Sequence, residues 1–225
     1  MSAQHLVGAG LSYTVADRAI IDTVNVTAGA GRLLAVCGPS GAGKSSLLGL
    51  LGGLLTPSAG TVSLDGRQIR PSDARVRRSI ATVLQGYGLV SALTARENVA
   101  ISLQARRAPR GEVRQRTDEA LEQVGLADVA DHLIEDMSGG QQQRVAVARA
   151  LAMAPEVLLA DEPTAELDAE NRERVVDLLV RLGRSGAIVV IATHDPDVID
   201  RCDDVLELDA GRVVSEGPAV RRLGP

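Results

Sequence analysis

The sequence predicts an α/β fold in which a mostly parallel sheet is covered by helices. Three short, fully apolar runs have the composition of parallel strands buried on both faces, at residues 33–37, 157–160 and 187–192. Each run is accompanied by a helical pattern, at residues 44–55, 141–152 and 169–182. Strands that alternate with helices in this way favour parallel pairing, with the helices packed on the sheet.

The remaining segments extend this plan at both ends and in the middle. Short β-prone runs between residues 6 and 36 are separated by turns that contain Gly and Asp, which is typical of antiparallel strands. Residues 61–66 predict a further strand and turn. In the middle, an apolar face over 113–124 predicts a helix that ends at Gly125, a C-cap residue. Residues 205–214 predict a closing hairpin, and the absence of repeats or linkers predicts one domain.

Composition places the chain among globular proteins and excludes several classes. Its 225 residues are 45% hydrophobic, and the mean hydropathy is near zero. The longest apolar run, 47–55, is broken by glycines and too short to cross a membrane, and no signal-peptide pattern begins the chain, so a soluble cytosolic protein is expected. Cys37 and Cys202 indicate no disulfide framework. The net charge of −5 argues against nucleic-acid binding, and the arginines of 106–116 are interpreted as a solvated helix face.

A glycine-rich segment after the first apolar run has the pattern of a phosphate-binding P-loop. It lies between a predicted strand and a predicted helix, where glycines let backbone N–H groups face phosphate oxygens and the helix N-terminus adds positive charge. Lys44 would reach the β- and γ-phosphates, and the Ser45 hydroxyl would bind Mg²⁺. Lys44 is the only lysine of the chain, which argues against an incidental glycine-rich turn. The predicted cradle comprises Gly38, Pro39, Ser40, Gly41, Ala42, Gly43, Lys44, Ser45 and Ser46.

Two adjacent acids, Asp161 and Glu162, follow the apolar run 157–160. Because the C-terminal ends of parallel strands form the usual binding edge of such a sheet, these carboxylates are expected beside the P-loop. Asp161 is predicted to hold Mg²⁺, directly or through water. Glu162 is predicted to act as general base on the attacking water. Acids that merely end a strand at the surface are the alternative.

The segment Met137-Ser138-Gly139-Gly140-Gln141 opens a predicted helix and resembles the signature sequence of ABC ATPases, with Met137 where leucine is usual. Ser138 and Gln141 also match a capping box, which by itself is sufficient to start a helix. The two interpretations are compatible, because a capped helix end with exposed glycine amides also binds anions. The order of elements favours the family: the signature is followed by Asp-Glu-Pro-Thr, Leu-Asp and Thr-His-Asp, as in ABC ATPases. The resemblance covers essentially the whole chain.

The resemblance implies an ATPase that binds ATP and Mg²⁺ and works as a dimer enclosing two ATP molecules. In the family, the P-loop of one subunit pairs with the signature helix of the other, which is a second copy or a paralogue. Ser138, Gly139 and Gly140, with Gln141 beside them, would contact the γ-phosphate across this dimer. Gln85 would be the lid glutamine that senses Mg²⁺ and the attacking water, although a surface glutamine is the alternative.

Three further residues take a role from the resemblance. Tyr13 would stack on the adenine ring, unless it is a core tyrosine. Asp168 would lie in the loop that communicates between the two sites, although it suits the N-cap of the next helix equally well. His194 would bond the γ-phosphate, and completes a catalytic set with Glu162, Lys44 and Gln85. Nothing catalytic is missing, so an active ATPase is expected; the Ala-Glu lead into Leu167-Asp168 departs from the small residues that are usual there.

The family also implies an architecture and a partner. A single nucleotide-binding domain over residues 1–225 would hold a P-loop core, an antiparallel β subdomain on the N-terminal side and a helical subdomain at roughly 86–149. The family docks the cytoplasmic helices of its transporter in the groove around Gln85 to Asn98. An integral membrane permease on a separate chain is therefore the expected partner, which would place this chain at the cytoplasmic face of the membrane, and no nucleic acid is expected.

The branch of the family is less sharply indicated. Residues 93–99 and 159–164 look most like the lipoprotein-releasing and macrolide- or peptide-exporting ATPases, although amino-acid importers share many of the same sequences. Soluble ABC ATPases that act on DNA or ribosomes carry coiled-coil or zinc insertions, or two cassettes, and none is found here. A non-hydrolysing binder is disfavoured by the presence of both Glu162 and His194.

Overall fold

Ten strands and seven α-helices make up the described part of the chain, residues 4–70, 73 and 76–219 of a computed structural model. The strands are β1 (His5–Val15), β2 (Arg18–Gly29), β3 (Leu33–Cys37), β4 (Ala59–Leu64), β5 (Arg67–Gln68), β6 (Ile80–Val83), β7 (Val157–Asp161), β8 (Ile188–Ala192), β9 (Asp204–Asp209) and β10 (Arg212–Pro218). The helices are α1 (Lys44–Leu51), α2 (Val76–Ser79), α3 (Ala95–Ala105), α4 (Arg110–Gln123), α5 (Gly139–Ala152), α6 (Ala169–Arg184) and α7 (Pro196–Ile199).

The chain divides into two units. The first takes the residues up to Thr82, then 156–162, and the residues from Val180 onward; the second takes 83–155 and 163–179. The single domain with a helical subdomain at roughly 86–149 stays a prediction, and the ends of that domain, residues 1–3 and 220–225, lie outside the described residues.

Two sheets organise the strands. β2, β1, β4 and β5 form an antiparallel sheet in that order. The other sheet has the order β10-β9-β3-β8-β7-β6, and β3 pairs in parallel with both β8 and β9, as β7 does with β8. The hairpin β9–β10 adds an antiparallel edge. The prediction of a mostly parallel core sheet with an N-terminal antiparallel sheet is confirmed.

The register of the parallel strands brings three chain segments to one sheet edge. Val36 of β3 and Asp161 of β7 both lie opposite Ala192 of β8. Apart from Asp161, the three strands are apolar because helices or the other sheet cover both faces, and β7 and β8 are buried along their whole length. The segments that follow these three strands therefore start side by side.

One hydrophobic core holds the first unit together. Leu47, Leu50 and Leu51 of α1 pack with Leu159 and Val190 of the parallel strands in a cluster that also includes side chains of β1 and β2. Each of these leucines is at most 1% exposed, which corresponds to about 2 kcal/mol of hydrophobic stabilisation per side chain. The core fixes the start of α1, and with it the glycine-rich loop, against the sheet.

The second unit is built from α3, α4 and α5, which pack against one another. α3 and α5 both begin with a capping box, formed by Thr94 with Glu97 and by Ser138 with Gln141. The predicted helix over 113–124 corresponds to α4, whose chain reverses at Gly125 with a φ of 70°. Within the described ranges, no helix is both long and apolar enough to span a membrane.

Two predicted helix ends were wrong. The helix predicted over 44–55 ends at Leu51, because Gly52 and Gly53 follow. The helix predicted over 169–182, with Gly183 as the residue that ends it, continues to Arg184. At Gly183 a Cβ atom would overlap the Leu33 side chain, so this glycine serves the close approach of α6 to β3 and does not end the helix.

Candidate active site

The glycine-rich loop connects β3 to α1 in the first unit. Gly38 has a φ of 137°, and a Cβ atom there would overlap the Leu208 carbonyl oxygen, so only glycine can start the loop. The loop closes on itself where the Ala42 N–H donates to the Pro39 carbonyl at 3.1 Å. Pro39, Ser40 and Gly41 are exposed. An open, curled backbone that ends in a helix N-terminus fits the phosphate groups of a nucleotide.

Lys44, the first residue of α1, folds back over this loop. Its ammonium donates to the Gly38 carbonyl at 2.8 Å and to the Pro39 carbonyl at 3.1 Å. The only lysine of the chain is thus held on the rim of the loop, where a phosphate group would meet both its charge and its donors.

Asp161 is the last residue of β7 and is 6% exposed. Burial raises the pKa of its carboxyl above the usual range, and the charge of Glu162 acts in the same direction, whereas a hydrogen bond with the Ser45 hydroxyl and the charge of Lys44 oppose this shift. A buried carboxylate paired with a hydroxyl provides the hard oxygen ligands that Mg²⁺ prefers, so the residues present fit a magnesium ion between Ser45 and Asp161.

Glu162 follows at the same edge in a strained backbone conformation. Its φ of 47° is left-handed, which costs a residue with a Cβ atom about 1–3 kcal/mol. The Glu162 N–H donates to the Ala192 carbonyl at 2.9 Å, the Thr193 hydroxyl donates to Oε2 at 3.3 Å, and His194 Nδ1 lies 2.7 Å from Oε1. The carboxylate is thereby fixed between two groups of the segment that follows β8.

His194 and Glu162 differ greatly in exposure. The His194 side chain is 74% exposed, whereas that of Glu162 is 14% exposed. Because an ionised carboxylate can only accept, Nδ1 donates to it, and the exposed Nε2 faces away from this contact. The imidazole can therefore bind the Glu162 carboxylate through Nδ1 and a further ligand through Nε2.

Tyr13 lies on β1 opposite Ile21 of β2 and is partly buried against the core of the first unit. This packing supports the core-tyrosine alternative for part of the ring. Its stacking on adenine stays a prediction.

The remaining predicted residues lie on the second unit. At the signature, the Ser138 hydroxyl accepts from the Gln141 N–H at 3.3 Å, while the Gln141 side chain accepts from the Ser138 N–H at 2.9 Å. A Cβ atom on Gly140 would lie 2.8 Å from the Glu166 carbonyl. The capping box is therefore present, and contact of Ser138, Gly139 and Gly140 with a γ-phosphate stays a prediction that this geometry permits.

Gln85 is exposed, in the turn that follows β6. Arg149 of α5 donates to the carbonyls of Tyr87 at 2.8 Å and Gly88 at 2.5 Å. Further along, the buried Asn98 side chain donates to the Val90 and Thr94 carbonyls and accepts from the Val90 N–H, which fixes the segment before α3.

Asp168 precedes α6 and caps it. Its Oδ1 accepts from the Asn171 N–H at 2.9 Å, and both carboxylate oxygens accept from the Asn171 amide. The hydrogen bond from the Asn171 backbone N–H contributes most to holding the pKa of Asp168 below its usual range, and the bonds from the Asn171 side chain act in the same direction. The capping alternative is therefore present in the structure, and communication between two sites stays a prediction.

Sequence reasoning missed two residues of this arrangement. Thr193 stands between the apolar strand and His194 within Thr-His-Asp, and its position beside a predicted catalytic histidine is the signal that could have identified it. Arg149 carries no such signal, because one arginine near the end of a helix does not reveal which carbonyls it contacts.

Comparisons with known proteins point to one family. A family profile described as "ABC transporter" matches residues 21–165. The chain is 43% identical over 212 residues to the methionine import ATP-binding protein MetN of Caulobacter vibrioides, which covers 92% of this chain and 64% of the relative. It is 45% identical over 214 residues to the lipoprotein-releasing system ATP-binding protein LolD of Anaeromyxobacter dehalogenans, covering 91% of this chain and 88% of the relative.

A solved structure shares the fold. A dimeric, post-hydrolysis state of the ATP-binding cassette MJ0796 bound to ADP and Pi superposes with a TM-score of 0.89 at 34% identity, over 96% of this chain and 99% of that one. The chain thus spans nearly the whole of this cassette and most of LolD, but less than two thirds of the methionine-import relative.

Proposed function

The chain belongs to the ABC transporter family, and we propose that it is an ATPase subunit that binds ATP with Mg²⁺, dimerises on it and drives a separate membrane permease. The observation that carries the proposal is the position of Glu162. Its carboxylate is held by Thr193 and His194 directly after Asp161, at the sheet edge from which the glycine-rich loop starts.

The phosphates of ATP would lie in the loop from Gly38 to Gly43. Lys44 would exchange its carbonyl contacts for the β- and γ-phosphate oxygens, because a phosphate is the stronger acceptor for an ammonium. Ser45 and Asp161 would hold Mg²⁺, which when bound supplies positive charge to the phosphates. The raised pKa of Asp161 supports this role, since a cation compensates a buried carboxylate.

Glu162 would take the proton of the attacking water as its oxygen bonds to the γ-phosphorus. The bond from phosphorus to the bridging oxygen of ADP then breaks, and ADP and phosphate leave. Thr193 and His194 Nδ1 orient the carboxylate, and the exposed edge of His194 would meet the γ-phosphate. Gln85 would approach the same phosphate and metal from its turn.

The same chain would form the second half of a dimer. Ser138, Gly139 and Gly140 stand at the capped, open start of α5, where backbone N–H groups favour an anion. Each copy, or a paralogue, would offer this end to the γ-phosphate in its partner. The dimeric state described for the MJ0796 cassette supports this arrangement.

A permease would dock on the second unit between Gln85 and Asn98, which would place the chain at the cytoplasmic face of the membrane. Leu84, Val90 and Ile101 are large apolar side chains exposed along this stretch, at 40%, 47% and 44%. A groove of about 1050 Å³ begins at Arg96 and Glu97 and continues along α4. Exposed apolar side chains beside a groove are suited to a partner surface.

For the branch, we propose export, lipoprotein release or transmission of motion. The likeness to LolD over 88% of its length supports this choice. An amino-acid importer is the second candidate, supported by the likeness to the methionine import protein MetN. A soluble ABC ATPase without a permease is a third, less favoured reading of the same site.

Two experiments test the proposal. Phosphate release by the purified protein should depend on Mg²⁺ and fall at least about 100-fold in Glu162→Gln, while ATP binding and ATP-dependent dimerisation persist. The matched control is Glu156→Gln, an exposed acid at the other end of β7, which should keep wild-type turnover. Unchanged turnover in Glu162→Gln would remove Glu162 as the base.

The partner is tested by tagging the chain in its native cell and solubilising membranes gently with ATP and vanadate. A permease with few membrane helices and a large external domain supports the export or release branch. An importer permease with a solute-binding protein supports the second candidate. Ribosomal or DNA-repair proteins without a membrane protein would refute the transporter assignment.

A further inference from the structure

The turn that carries Gln85 has an unusual backbone. Gly86, Tyr87 and Gly88 have φ angles of 82°, 65° and 59°, so three consecutive residues are left-handed. Glycine adopts this region freely, but Tyr87 has a Cβ atom and does so only when its surroundings impose it. The contacts of Tyr87 therefore show what holds the turn.

Arg149 provides the first contact. Its Nη1 donates to the Gly88 carbonyl and its Nη2 to the Tyr87 carbonyl, at 2.5 and 2.8 Å. The planar guanidinium thus binds two successive carbonyls of the strained turn through two separate nitrogens in a fixed planar geometry, whereas a lysine at this position would have a single donor nitrogen. Arg149 lies on α5, the helix that begins with the signature glycines.

The Tyr87 side chain provides the second contact, at the start of the same helix. The position that a Cβ atom on Gly139 would take is 3.3 Å from both the Tyr87 hydroxyl and a Glu166 carboxylate oxygen. Burial, and then the charge of Glu166, raise the pKa of Tyr87, as expected for a ring tucked against this helix end. The turn therefore touches α5 at its signature end and, through Arg149, near its other end.

We propose that Arg149 and Tyr87 are positioning residues that fix the Gln85 turn to the signature end of α5, so that the two move together. This inference rests on the proposed function and deepens it. A displacement of Gln85 by the nucleotide of its own subunit reaches Gly139, which serves the nucleotide of the partner copy. By reciprocity, engagement of the signature by a partner copy favours one position of Gln85.

The test measures the dimer dissociation constant in Mg-ATP by analytical ultracentrifugation, with Glu162→Gln as the parent. Arg149→Lys keeps the charge but replaces the two donor nitrogens by one, and should weaken the dimer about tenfold, the effect of losing one charge-assisted hydrogen bond. Tyr87→Phe removes only the hydroxyl beside Gly139. It should weaken the dimer about threefold without a change in melting temperature, which keeps the test valid if the arginine variant folds poorly.

A double-mutant cycle separates positioning from general destabilisation. If Arg149 acts through the turn, Arg149→Lys should have less than about a twofold effect once Gln85→Ala is present. The matched control is Arg144→Lys on the same helix, whose guanidinium donates to the Val124 and Gly125 carbonyls, away from the turn. Its effect should be the same with and without Gln85→Ala.

The outcomes distinguish a failure of the proposed function from a failure of the inferred coupling between the Gln85 turn and α5. A parent that stays monomeric in Mg-ATP overturns the proposed function, and the inference with it. A parent that dimerises normally while Arg149→Lys and Tyr87→Phe leave the dissociation constant unchanged overturns the inference alone. So does an Arg149→Lys effect that adds in full to that of Gln85→Ala.

Discussion

Thr193→Val is the substitution that probes the support of the catalytic carboxylate most directly. Thr193 is 0% exposed, and its hydroxyl donates to Glu162 Oε2 at 3.3 Å while accepting from the Asp195 N–H at 3.1 Å. Valine has nearly the same shape, so the substitution removes one donor and one acceptor without opening a cavity. Both effects should appear in separate measurements.

The stability effect follows from burial. Taking away a buried hydrogen-bonding group costs about 1–3 kcal/mol, so the free energy of unfolding should fall by about 2 kcal/mol. For a chain of this size, about 2–4 °C per kcal/mol applies, which predicts a melting temperature lower by about 4–8 °C. Differential scanning fluorimetry without nucleotide measures this shift.

The catalytic effect follows from the position of Glu162. With the Thr193 contact gone, the carboxylate should spend less time in the reactive orientation, and kcat should fall about tenfold, or about 1.4 kcal/mol in activation free energy. KM for ATP should change little, because the bonds that the Thr193 hydroxyl makes are to Glu162 and to the Asp195 N–H, and neither residue is part of the glycine-rich loop. Steady-state phosphate release at several ATP concentrations separates the two constants.

Thr193→Ser is the matched control. It keeps the hydroxyl and loses only a methyl group, so it should keep kcat within about twofold while losing about 1 kcal/mol of stability. If Thr193→Val retains the wild-type kcat, or if Thr193→Ser loses as much, the hydroxyl does not orient Glu162 and the reasoning is refuted.

Three further predictions use other groups of the described chain. Because burial raises the pKa of Asp161, its ionisation opposes folding, and without Mg²⁺ the stability that the protonated carboxyl allows is lost as the pH rises above about 4. Asp161→Asn should therefore be more stable than wild type at pH 7 in urea unfolding, yet lose Mg-dependent ATPase activity. A difference in urea midpoint between Asp161→Asn and wild type that is the same at pH 4 and at pH 7 would contradict this. Burial raises the pKa of Cys202 to about 12, so at pH 8 a thiol reagent should label the half-buried Cys37 and leave Cys202 unlabelled until urea is added. Labelling of Cys202 before urea is added, detected by mass spectrometry, would contradict this prediction. Asp168→Ala removes the bonds to Asn171 and should lower the melting temperature, whereas Asp168→Asn, which keeps a capping oxygen, should lower it less. Equal losses in thermal melting would show that the cap is not the cause.

Much of the fold was predictable because its signals are local. β3, β7 and β8 are short apolar runs, and the structure gives them nearly the predicted bounds. The end of α6 was not predictable, because Gly183 can end a helix or allow close packing, and only the contact with Leu33 decides between them.

The candidate site, too, was predictable from the sequence only in part. The motif residues were chosen from their types and order, and the register explains why Asp161, at the end of β7, lies at the same sheet edge as the end of β3, with only β8 between the two strands. The left-handed backbone of Glu162 and the contacts of Thr193 arise from segments far apart in sequence. No local pattern encodes such contacts, so they required the structure.

The strand order has a consequence for synthesis on the ribosome. β3, which leads into the glycine-rich loop, lies between β8 and β9, and both of these are made more than 140 residues later. Until β8 and β9 leave the exit tunnel, β3 has neither of its hydrogen-bonding neighbours, and the strand that leads into the loop is not held in a sheet. Nascent chains that end before β8 should therefore not be retained on an ATP resin, although they contain every residue of the loop, and ATP can assist folding only after nearly the whole chain has been translated.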